Sequence, residues 1–379
     1  SEIGEDRILE MGGNALTTQS VGPKILWLKK NRPEIYKNTH KILTSTSFLV
    51  HKLTGEFVID HYTAANFTPL YDLHTQTWST ALTRDLIALE KLPELRWSSD
   101  IVGRITKAAA QKTGLPEGIP VTAGTIDAAA EAISVGVSES GDTMCMYGST
   151  IFMISLTDQR VEDPRLWYAP WLFPGQHASM AGLATSGTLT HWFREHFAKD
   201  LNLDSSFGEL SEEAKQSVPG SNGIVFLPYF SGERTPIHDP DAKGLIFGLR
   251  VDHTRGDVYR GLIEGIAFGT RHVVDTFVEC STQTNRLFAV GGGTKNELWI
   301  QTTSDITGLD QIVREKTVGA SYGDAFLAAL SVGIVEPRDI GKWNPAKRVL
   351  RSRSDAKLEN NYEIFKHLYI ATKHLMKQV

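Results

Sequence analysis

Short apolar strands that end in glycine-rich turns alternate with helical stretches over residues 101–332, and this alternation restricts the fold more than any other feature. From residue 142 onward the pattern predicts the order β-β-β-α-β-α-β-α, with a long helix at residues 255–280 inserted in the series. Residues 1–98 have mainly helical spacing of their apolar side chains. We therefore predict an α/β protein with layered sheets and helices.

Length and charge narrow the class of protein further. A chain of 379 residues is expected to form two to three domains. Its formal net charge of -5 argues against a nucleic-acid partner, and no apolar run reaches the length of a membrane span, so no membrane partner is expected either. The two cysteines, Cys145 and Cys280, have apolar neighbours, and we predict that both are reduced core residues of a cytoplasmic protein.

Three glycine-containing turns follow predicted strands and are candidates for phosphate binding. They are "YGST" at residues 147–150, "ATSG" at residues 184–187 and "GGG" at residues 291–293. Each alone is explained equally well by ordinary turn chemistry. Together, they offer bare backbone amides, hydroxyl groups and helix N-termini, which suit the phosphates of a nucleotide. The chain lacks the P-loop pattern and the GxGxxG pattern, so neither a P-loop protein nor a dehydrogenase is predicted.

Asp127 follows the predicted strand "IPVTAGT" and stands at the start of a helix. One interpretation is a helix cap, a position that aspartate commonly takes. The other is a general base at the carboxyl end of a strand, where α/β proteins place their active sites. Such a base accepts the proton of a substrate hydroxyl as that hydroxyl attacks a phosphoryl group.

Small residues recur on two predicted helices. Ala128, Ala129 and Ala132 lie on the helix after Asp127, and Gly323 lies inside the last helix of the α/β series. A glycine inside a helix costs about 1 kcal/mol relative to alanine, so its presence suggests a close approach of two backbones. The spacing allows either ordinary packing of helices on a sheet or a close crossing of these two helices at a hinge between domains.

The segment "SGERTPIHDP" at residues 231–240 gathers Glu233, Arg234, His238 and Asp239. Its spacing fits no familiar set of metal ligands, and a structural loop with an internal ion pair is the preferred interpretation. No metal-binding residues are predicted anywhere in the chain. For three tryptophans, Trp167, Trp171 and Trp192, the sequence does not distinguish a location in the core from one in the lining of a cleft.

Several stretches together resemble the FGGY carbohydrate kinases, and the branch that contains the xylulose kinases is the most similar. The resemblance is carried by "AGTIDAAAEAISVGV", "MYGSTIFM", "FLPYFSGERTPIHDPDAKGLIFGL", "YRGLIEGIAF" and "VGGGTKNELWIQTTSDITG". "GNALTTQSVGPKILWLKKNRPEIY" and "LTGEFVIDHYTAAN" in the first third match that branch too. These motifs occur in the order and at the spacing typical of the family.

The resemblance implies two actin-like, ribonuclease-H-like domains with a cleft between them, over residues 1–137 on the sugar side and 138–379 on the ATP side. It implies ATP with Mg²⁺ as cofactors, a sugar as substrate, and a dimer, which is common among similar proteins. By the same match Asp127 is the catalytic base. The residues expected to bind the nucleotide, from the resemblance and from the "ATSG" turn, are Gly148, Ser149, Thr150, Thr185, Ser186, Gly187, Gly292, Gly293 and Asn296.

The expected activity is that of an ATP-dependent sugar kinase, with a ketopentose such as xylulose as the favoured substrate. Another ketose, a polyol such as glycerol or erythritol, or an aldonate such as gluconate is the alternative. A regulatory protein that binds ATP and sugar without turnover, and an actin-like assembly protein, are the rival classes. The dense match around Asp127 argues against the assembly protein.

Two of the sequence's departures from the family bear on substrate and domain completeness. The family often has asparagine after its catalytic aspartate, whereas this chain has Ala128, a position that borders the sugar pocket. The family also begins with a strand-turn motif, Asp-x-Gly-Thr, that helps to hold phosphate and metal. This motif is absent, so we expect the first domain to be incomplete, with roughly a hundred residues missing upstream of the sequence.

Overall fold

A computed structural model of the chain describes residues 4–16, 20–83 and 86–379. Residues 17–19, which belong to one of the stretches that carry the resemblance, and parts of the helical region 1–98 lie outside the described residues. The chain divides into two compact units. The first comprises residues 1–140, 156–179 and 318–343, and the second comprises residues 141–155, 180–317 and 344–379.

The helices and strands follow the chain in a mixed order. The helices are α1 Glu5–Gly12, α2 Val21–Asn31, α3 Pro33–Asn38, α4 Ser45–Thr54, α5 His61–Ala64, α6 Thr80–Thr83, α7 Lys107–Thr113, α8 Asp127–Val135, α9 Gly187–Phe197, α10 Ser206–Gln216, α11 Arg255–Glu279, α12 Glu297–Thr307, α13 Ala320–Ser331, α14 Ile340–Trp343 and α15 Ala356–Met376. The strands are β1 Val58–Asp60, β2 Tyr71–Asp72, β3 Thr77–Trp78, β4 Glu94–Arg96, β5 Ile101–Arg104, β6 Pro120–Thr122, β7 Asp142–Tyr147, β8 Ile151–Thr157, β9 Trp167–Pro170, β10 His177–Leu183, β11 Val225–Leu227, β12 Leu245–Phe247, β13 Arg286–Val290, β14 Gln311–Arg314 and β15 Ala346–Leu350.

The first unit packs helices around short paired strands. Strand β1 pairs in parallel with β4, and β5 pairs in antiparallel fashion with β6. A small apolar cluster of Val50, Val58 and Ala123 joins α4 to these strands. Helix α7 begins where the Thr106 side chain accepts a hydrogen bond from the Ala109 amide, as an N-cap residue does.

The second unit is built on a sheet whose strands lie in the order β15-β14-β13-β7-β8-β10. Strand β13 is parallel to both of its neighbours, with Ala289 opposite Cys145 of β7 and Val313 of β14. Strand β7 is antiparallel to β8. Because β7 and β13 are parallel neighbours, the turns at their carboxyl ends leave the sheet at the same edge. This edge is where the candidate site forms.

Helix α11 is the central helix of the second unit. Its predicted capping box is present, since the Thr254 side chain accepts from the Asp257 amide and the Asp257 side chain accepts from the Thr254 amide. The sequence predicted a single apolar stripe on this helix, but the structure buries residues 259–270 on every side of it. Buried polar groups are accommodated by pairing, as where Arg260 donates to Glu264 over 2.8 Å.

Helices α8 and α13 cross at very short range within the first unit. A Cβ atom on Gly323 of α13 would lie 1.8 Å from the carbonyl oxygen of Ala130 on α8. No side chain fits at that distance, so the glycine allows the two backbones to touch. The close crossing predicted from the small residues is confirmed, whereas the hinge role remains a prediction.

The predicted strands and helices of the α/β series are present, most of them within one or two residues at their ends. The strand predicted for residues 119–125 is shorter, Pro120–Thr122. Strand β9 and helices α10 and α15 were not predicted. Cys145 is buried as expected, but Cys280 lies half-buried after the end of α11, so the expectation that both are core residues was wrong for Cys280. Neither cysteine forms a disulfide. Trp171 is fully buried in the core. None of the helices within the described ranges combines the length and apolarity that a membrane crossing requires.

Candidate functional site

Two loops meet at the edge of the second unit's sheet because their strands are paired in register. Residue Met146 of β7 lies opposite Val290 of β13, so the turns that follow these residues are neighbours. Gly291 begins the second turn with φ +93°, and a Cβ atom there would lie 2.7 Å from the Tyr147 carbonyl oxygen. Only glycine combines this positive φ with such a close backbone contact.

The loop at residues 184–187 lies on the loop at residues 148–150. The Ser186 amide and the Gly187 amide each donate to this loop over 3.0 Å, to the carbonyl oxygens of Ser149 and Gly148 respectively. The Ser186 hydroxyl also donates to the Gly148 carbonyl oxygen over 3.0 Å. A Cβ atom on Gly187 would lie 2.4 Å from that same oxygen. The contact therefore needs glycine at position 187.

A cavity of about 570 Å³ opens beside these loops and lies wholly within the second unit. This volume is in the range of sites that hold small molecules and cofactors. The cavity is lined by Tyr147, Gly148, Ser149, Gly187, Thr190, His191, Phe207, Gly208, Ser211, Glu212, Lys215, Tyr259, Gly292, Gly293, Lys295, Asn296, Glu297, Leu298 and Trp299.

Six of the nine residues predicted to bind the nucleotide line this cavity, namely Gly148, Ser149, Gly187, Gly292, Gly293 and Asn296. Thr150, Thr185 and Ser186 are not among its lining residues. Thr185 and Ser186 are buried instead, and the Ser186 hydroxyl is used to hold the neighbouring loop. The roles of all nine in ligand binding remain predictions.

Aromatic rings form a rigid floor under the glycine turn. The rings of Tyr147 and Trp299 meet edge to face with centroids 5.3 Å apart, and the Tyr147 hydroxyl donates to Gln311 over 2.7 Å. A Cβ atom on Gly293 would lie 2.7 Å from the Trp299 ring, so this position is already full. At Gly292 a Cβ atom would meet nothing within 4 Å, so the backbone there faces open space in the cavity.

Asn296 has two uses at this site. Its side-chain oxygen accepts from the Trp299 amide over 3.2 Å and thereby caps α12. The side-chain nitrogen of Asn296, Nδ2, has no hydrogen-bond acceptor among the described residues and is available to a ligand in the cavity. The resemblance predicted the position, and the geometry shows which atom is left over for binding.

Helix α10 forms one wall of the cavity and was missed by the sequence analysis. Its residues Phe207, Ser211 and Lys215 line the cavity at helical spacing. Lys215 donates to Glu212 over 2.6 Å, and this hydrogen bond raises the pKa of the lysine. The signal was present in the sequence, since Phe207, Leu210 and Ala214 have the spacing of an amphipathic helix.

Asp127 is the first residue of α8 in the first unit, and Ile126 takes the N-cap position. Its Oδ1 atom accepts from the Ala128 amide over 2.8 Å, and its side chain is exposed. The first turn of a helix favours a negative charge through the helix dipole. Asp127 is therefore not the N-cap residue, and an exposed carboxylate with one oxygen left for a further bond is suited to accept a proton.

The loop that leads to Asp127 is fixed by a buried carboxylate that the sequence analysis did not single out. The Asp60 Oδ2 atom accepts from Thr125 Oγ1 over 2.9 Å, from Ser98 Oγ over 3.3 Å and from the Thr63 amide over 3.2 Å. Burial raises the pKa of Asp60 despite these three hydrogen bonds. An aspartate at the end of a predicted strand, followed by "HYTA", was the available signal.

Glu131 lies one turn after Asp127 on α8. Burial raises the pKa of Glu131, and the negative charge of Asp127 raises it further. Two carboxylates at this spacing repel each other when both are ionised. Asp127 is the exposed member of the pair and therefore the one that reaches solvent or substrate.

Within the residues that the structure describes, no group of three or more His, Cys, Asp or Glu side chains is arranged to hold a metal ion. The Glu233 side chain of the "SGERTPIHDP" segment accepts hydrogen bonds from two backbone amides, those of Ala184 over 2.6 Å and Arg234 over 2.7 Å. These hydrogen bonds are those of a structural loop, and the internal ion pair expected in it stays a prediction.

Comparison with known families gives two matches along the chain. Residues 1–134 match the FGGY family of carbohydrate kinases, N-terminal domain, and residues 143–332 match its C-terminal domain. Xylulose kinase of Bacillus subtilis (strain 168) is 28% identical over 98% of this chain and 74% of its own length. Xylulose kinase of Lactococcus lactis subsp. lactis (strain IL1403) is 30% identical over 98% of this chain and 75% of its own length.

Solved structures give the same fold. Xylulose kinase from Rhodospirillum rubrum superposes with a TM-score of 0.92 at 27% identity, over 99% of this chain and 76% of that chain. Gluconate kinase from Lactobacillus acidophilus gives a TM-score of 0.89 at 22% identity, over 98% of this chain and 76% of that one. Glycerol kinase of Plasmodium falciparum with ADP gives 0.87 at 23% identity, over 98% of this chain and 74% of that one. The last two likenesses concern the fold alone.

Proposed function

Because this chain belongs to the FGGY family of carbohydrate kinases, we propose that it transfers the γ-phosphoryl group of ATP to a hydroxyl group of a sugar. Family membership also confirms the predicted class of two actin-like α/β domains. The observation that carries the proposal is the cavity in the second unit, which is lined by residues of three glycine-containing turns and by the paired rings of Tyr147 and Trp299.

The cavity suits a nucleotide in both shape and chemistry. At one end, the Gly148 and Gly187 turns present backbone where no side chain shields it, and α9 begins at Gly187. The amides of Gly148, Gly187 and Thr188 donate hydrogen bonds within the protein. The contribution of α9 is therefore its helix dipole, which favours negative charge near the N-terminus of the helix. At the other end, Gly292, Asn296 and the wall of α10 provide a mixed apolar and polar surface for the adenosine. We assign the phosphates to the first end and the adenosine to the second.

Asp127 is assigned the role of general base. Its carboxylate accepts the proton of the attacking sugar hydroxyl and orients that hydroxyl toward the phosphoryl group. The loop before it is held by Asp60 through Thr125, which limits the positions that Asp127 can take. Phosphoryl transfer depends mainly on positioning and on charge neutralisation, so a fixed base contributes through orientation as well as through proton transfer.

Mg²⁺ bound with ATP neutralises charge on the phosphate groups during transfer. Mg²⁺ usually keeps several waters and binds through substrate phosphates together with one or two carboxylates, rather than in an all-protein cage. Ser149 lines the cavity next to Gly148 and offers a hydroxyl group there.

Among sugars, a ketopentose such as xylulose is the proposed substrate, because the relatives at 28% and 30% identity over 98% of the chain are xylulose kinases. Another ketose, a polyol or an aldonate is the alternative, since Ala128 follows Asp127 and the family often has asparagine there. Alanine removes an amide that can bind a sugar hydroxyl, so the position bears directly on the choice of substrate. A homodimer in the cytoplasm completes the proposal and rests on the family alone.

The test is sugar-dependent release of ADP from ATP, measured with a panel of ketoses, polyols and aldonates, with Asp127→Asn as the paired variant. We expect turnover with at least one ketose, and a loss of about a hundredfold or more in Asp127→Asn with little change in ADP affinity. Near-normal turnover in the variant would show that Asp127 is not the base. ADP binding by both proteins without turnover on any sugar would favour the regulatory class.

A further inference from the structure

Glu233 is a buried carboxylate that the proposed reaction does not use. Its side chain is 5% exposed and lies in the loop at residues 231–239. The Oε1 atom accepts from the Ala184 amide over 2.6 Å and from the Arg234 amide over 2.7 Å. The second hydrogen bond joins Glu233 to its own loop, and the first joins it to the loop at residues 184–187.

A further hydrogen bond ties the same two segments together. The Thr235 amide donates to the Gly182 carbonyl oxygen over 3.3 Å, two residues before Ala184. The loop at residues 231–239 is itself closed, since the Glu233 amide donates to the Asp239 carbonyl oxygen over 2.8 Å. Glu233 therefore connects a closed loop to the residues that enter the 184–187 turn.

The 184–187 turn in turn contacts the residues that line the cavity. It donates to the carbonyl oxygens of Gly148 and Ser149 and then starts α9 at Gly187. Gly148, Ser149 and Gly187 all line the cavity. A shift at Ala184 would move Gly187 by a similar amount, because only two residues separate them.

The charge of Glu233 matters to the strength of this connection. Backbone amides donate more strongly to an ionised carboxylate than to a neutral acceptor. Burial raises the pKa of Glu233 to about 7, while the two amide hydrogen bonds and the charge of Arg234 act in the opposite direction. The other ionisable group that it faces is the buried Tyr229 hydroxyl, whose pKa is raised by burial and by Glu233. A carboxylate retained in such surroundings needs a function to offset its cost.

We propose that Glu233 is a positioning residue for the phosphate end of the cavity, which it holds in place through the Ala184 amide. The proposal rests on the proposed nucleotide site for its effect on binding, but its effect on the loop can be measured without any ligand.

Two substitutions of Glu233 by side chains of similar length distinguish the loss of the hydrogen-bond acceptor from the loss of side-chain volume. Glu233→Gln keeps an oxygen that accepts both amides but removes the charge. Glu233→Met fills the space and leaves both amides without an acceptor. Glu195→Ala is the matched control, because Glu195 is an exposed carboxylate on α9 that pairs only with Arg194 among the described residues.

Amide hydrogen exchange of the peptide covering residues 182–190 is measured together with the Kd for MgADP. We expect faster exchange in this peptide and a Kd raised more than tenfold in Glu233→Met, with about a fivefold rise in Glu233→Gln. The Glu195→Ala control should match the wild type in both readouts. The proposal is overturned if Glu233→Met and Glu233→Gln both exchange this peptide at the wild-type rate.

Two outcomes distinguish a failure of this proposal from a failure of the proposed function. If the wild type binds no MgADP while Glu233→Met still accelerates exchange in residues 182–190, the nucleotide site is wrong and the positioning of the loop stands. If the wild type binds MgADP and the loop exchanges unchanged in both variants, the nucleotide site stands and the role of Glu233 is wrong.

Discussion

The Thr125 hydroxyl donates to the buried Asp60 carboxylate over 2.9 Å, and Thr125 stands two residues before Asp127 in the chain. Asp60 itself ends β1 and caps α5, so a carboxylate of the strand region fixes the entrance to α8. The base proposed for the reaction is thus held by a residue 67 positions away, as the sequence numbering shows. This relationship leads to the first prediction.

Asp60→Ala is expected to lower kcat more than it changes nucleotide affinity. The variant removes the acceptor of three hydrogen bonds, each worth about 1 kcal/mol, and frees the loop before Asp127. Steady-state kinetics with ATP and the preferred sugar, and ADP binding by calorimetry, measure the two effects. The exposed Asp158→Asn provides the control. Equal losses in ADP affinity and kcat would contradict a local effect on Asp127.

Gly323→Ala is expected to destabilise the protein by about 2 kcal/mol, because its Cβ would lie 1.8 Å from the Ala130 carbonyl oxygen and the two helices would have to separate. Gly341→Ala is the matched control, since a Cβ atom there meets nothing within 4 Å. The free energy of unfolding of that control should equal that of the wild type or exceed it by up to about 1 kcal/mol, because alanine has the higher helix propensity. Thermal unfolding of both variants measures the difference, and a Gly323→Ala protein as stable as the control would disprove the tight crossing.

Gly292→Ala separates ligand contact from protein packing. A Cβ atom at this position meets no protein atom within 4 Å, so the unfolding temperature should stay within about 1 °C of the wild type. If the adenosine lies against this turn, the added methyl group should weaken MgADP binding by about tenfold. Calorimetric titration of the variant tests this, and unchanged affinity would place the adenosine elsewhere in the cavity.

The pH dependence of stability should report the ionisation of Glu233. The pKa of this buried carboxyl is about 7 in the folded protein, above its ordinary value of 4.5, so the folded state retains the proton more strongly. The contribution of this group to the free energy of unfolding is therefore fully present below about pH 4.5. It falls by roughly 3 kcal/mol as the pH rises toward 7. Glu233→Gln lacks this loss.

Unfolding temperatures of the wild type and Glu233→Gln at pH 5, 6, 7 and 8 measure the effect. The unfolding temperature of the variant should rise relative to that of the wild type between pH 5 and 7. The difference between the two proteins should change little above pH 8. A difference that stays constant over this range would mean that Glu233 does not titrate there. Greater stability of the variant at pH 8 together with weaker MgADP binding would show that the carboxylate is kept for positioning at a cost in stability.

The sequence by itself predicted most of the elements around the site. Alternation of short apolar strands with helices determined the α/β class, and glycines after β7, β10 and β13 marked the turns that form the cavity edge. These signals are local, because a strand or a glycine turn depends on neighbouring residues. The family resemblance then gave roles to Asp127 and to six of the nine nucleotide residues, whereas Thr185, Ser186 and Gly187 were predicted from the glycine turn itself. Local patterns alone had not distinguished a helix cap or a turn from a functional site.

Tertiary structure decided which of those residues share one cavity. Thr185 and Ser186 belong to the same turn as Gly187, yet they are buried while Gly187 lines the cavity, because side-chain direction depends on how the turn packs on Gly148 and Ser149. The role of Asp60 depends on a contact with Thr125, 65 positions away, and the role of Glu233 on a contact with Ala184, 49 positions away. The role of α10 depends on its packing beside loops from separate parts of the chain. Sequence periodicity carries no information about such contacts, since they arise only when separate elements are packed together.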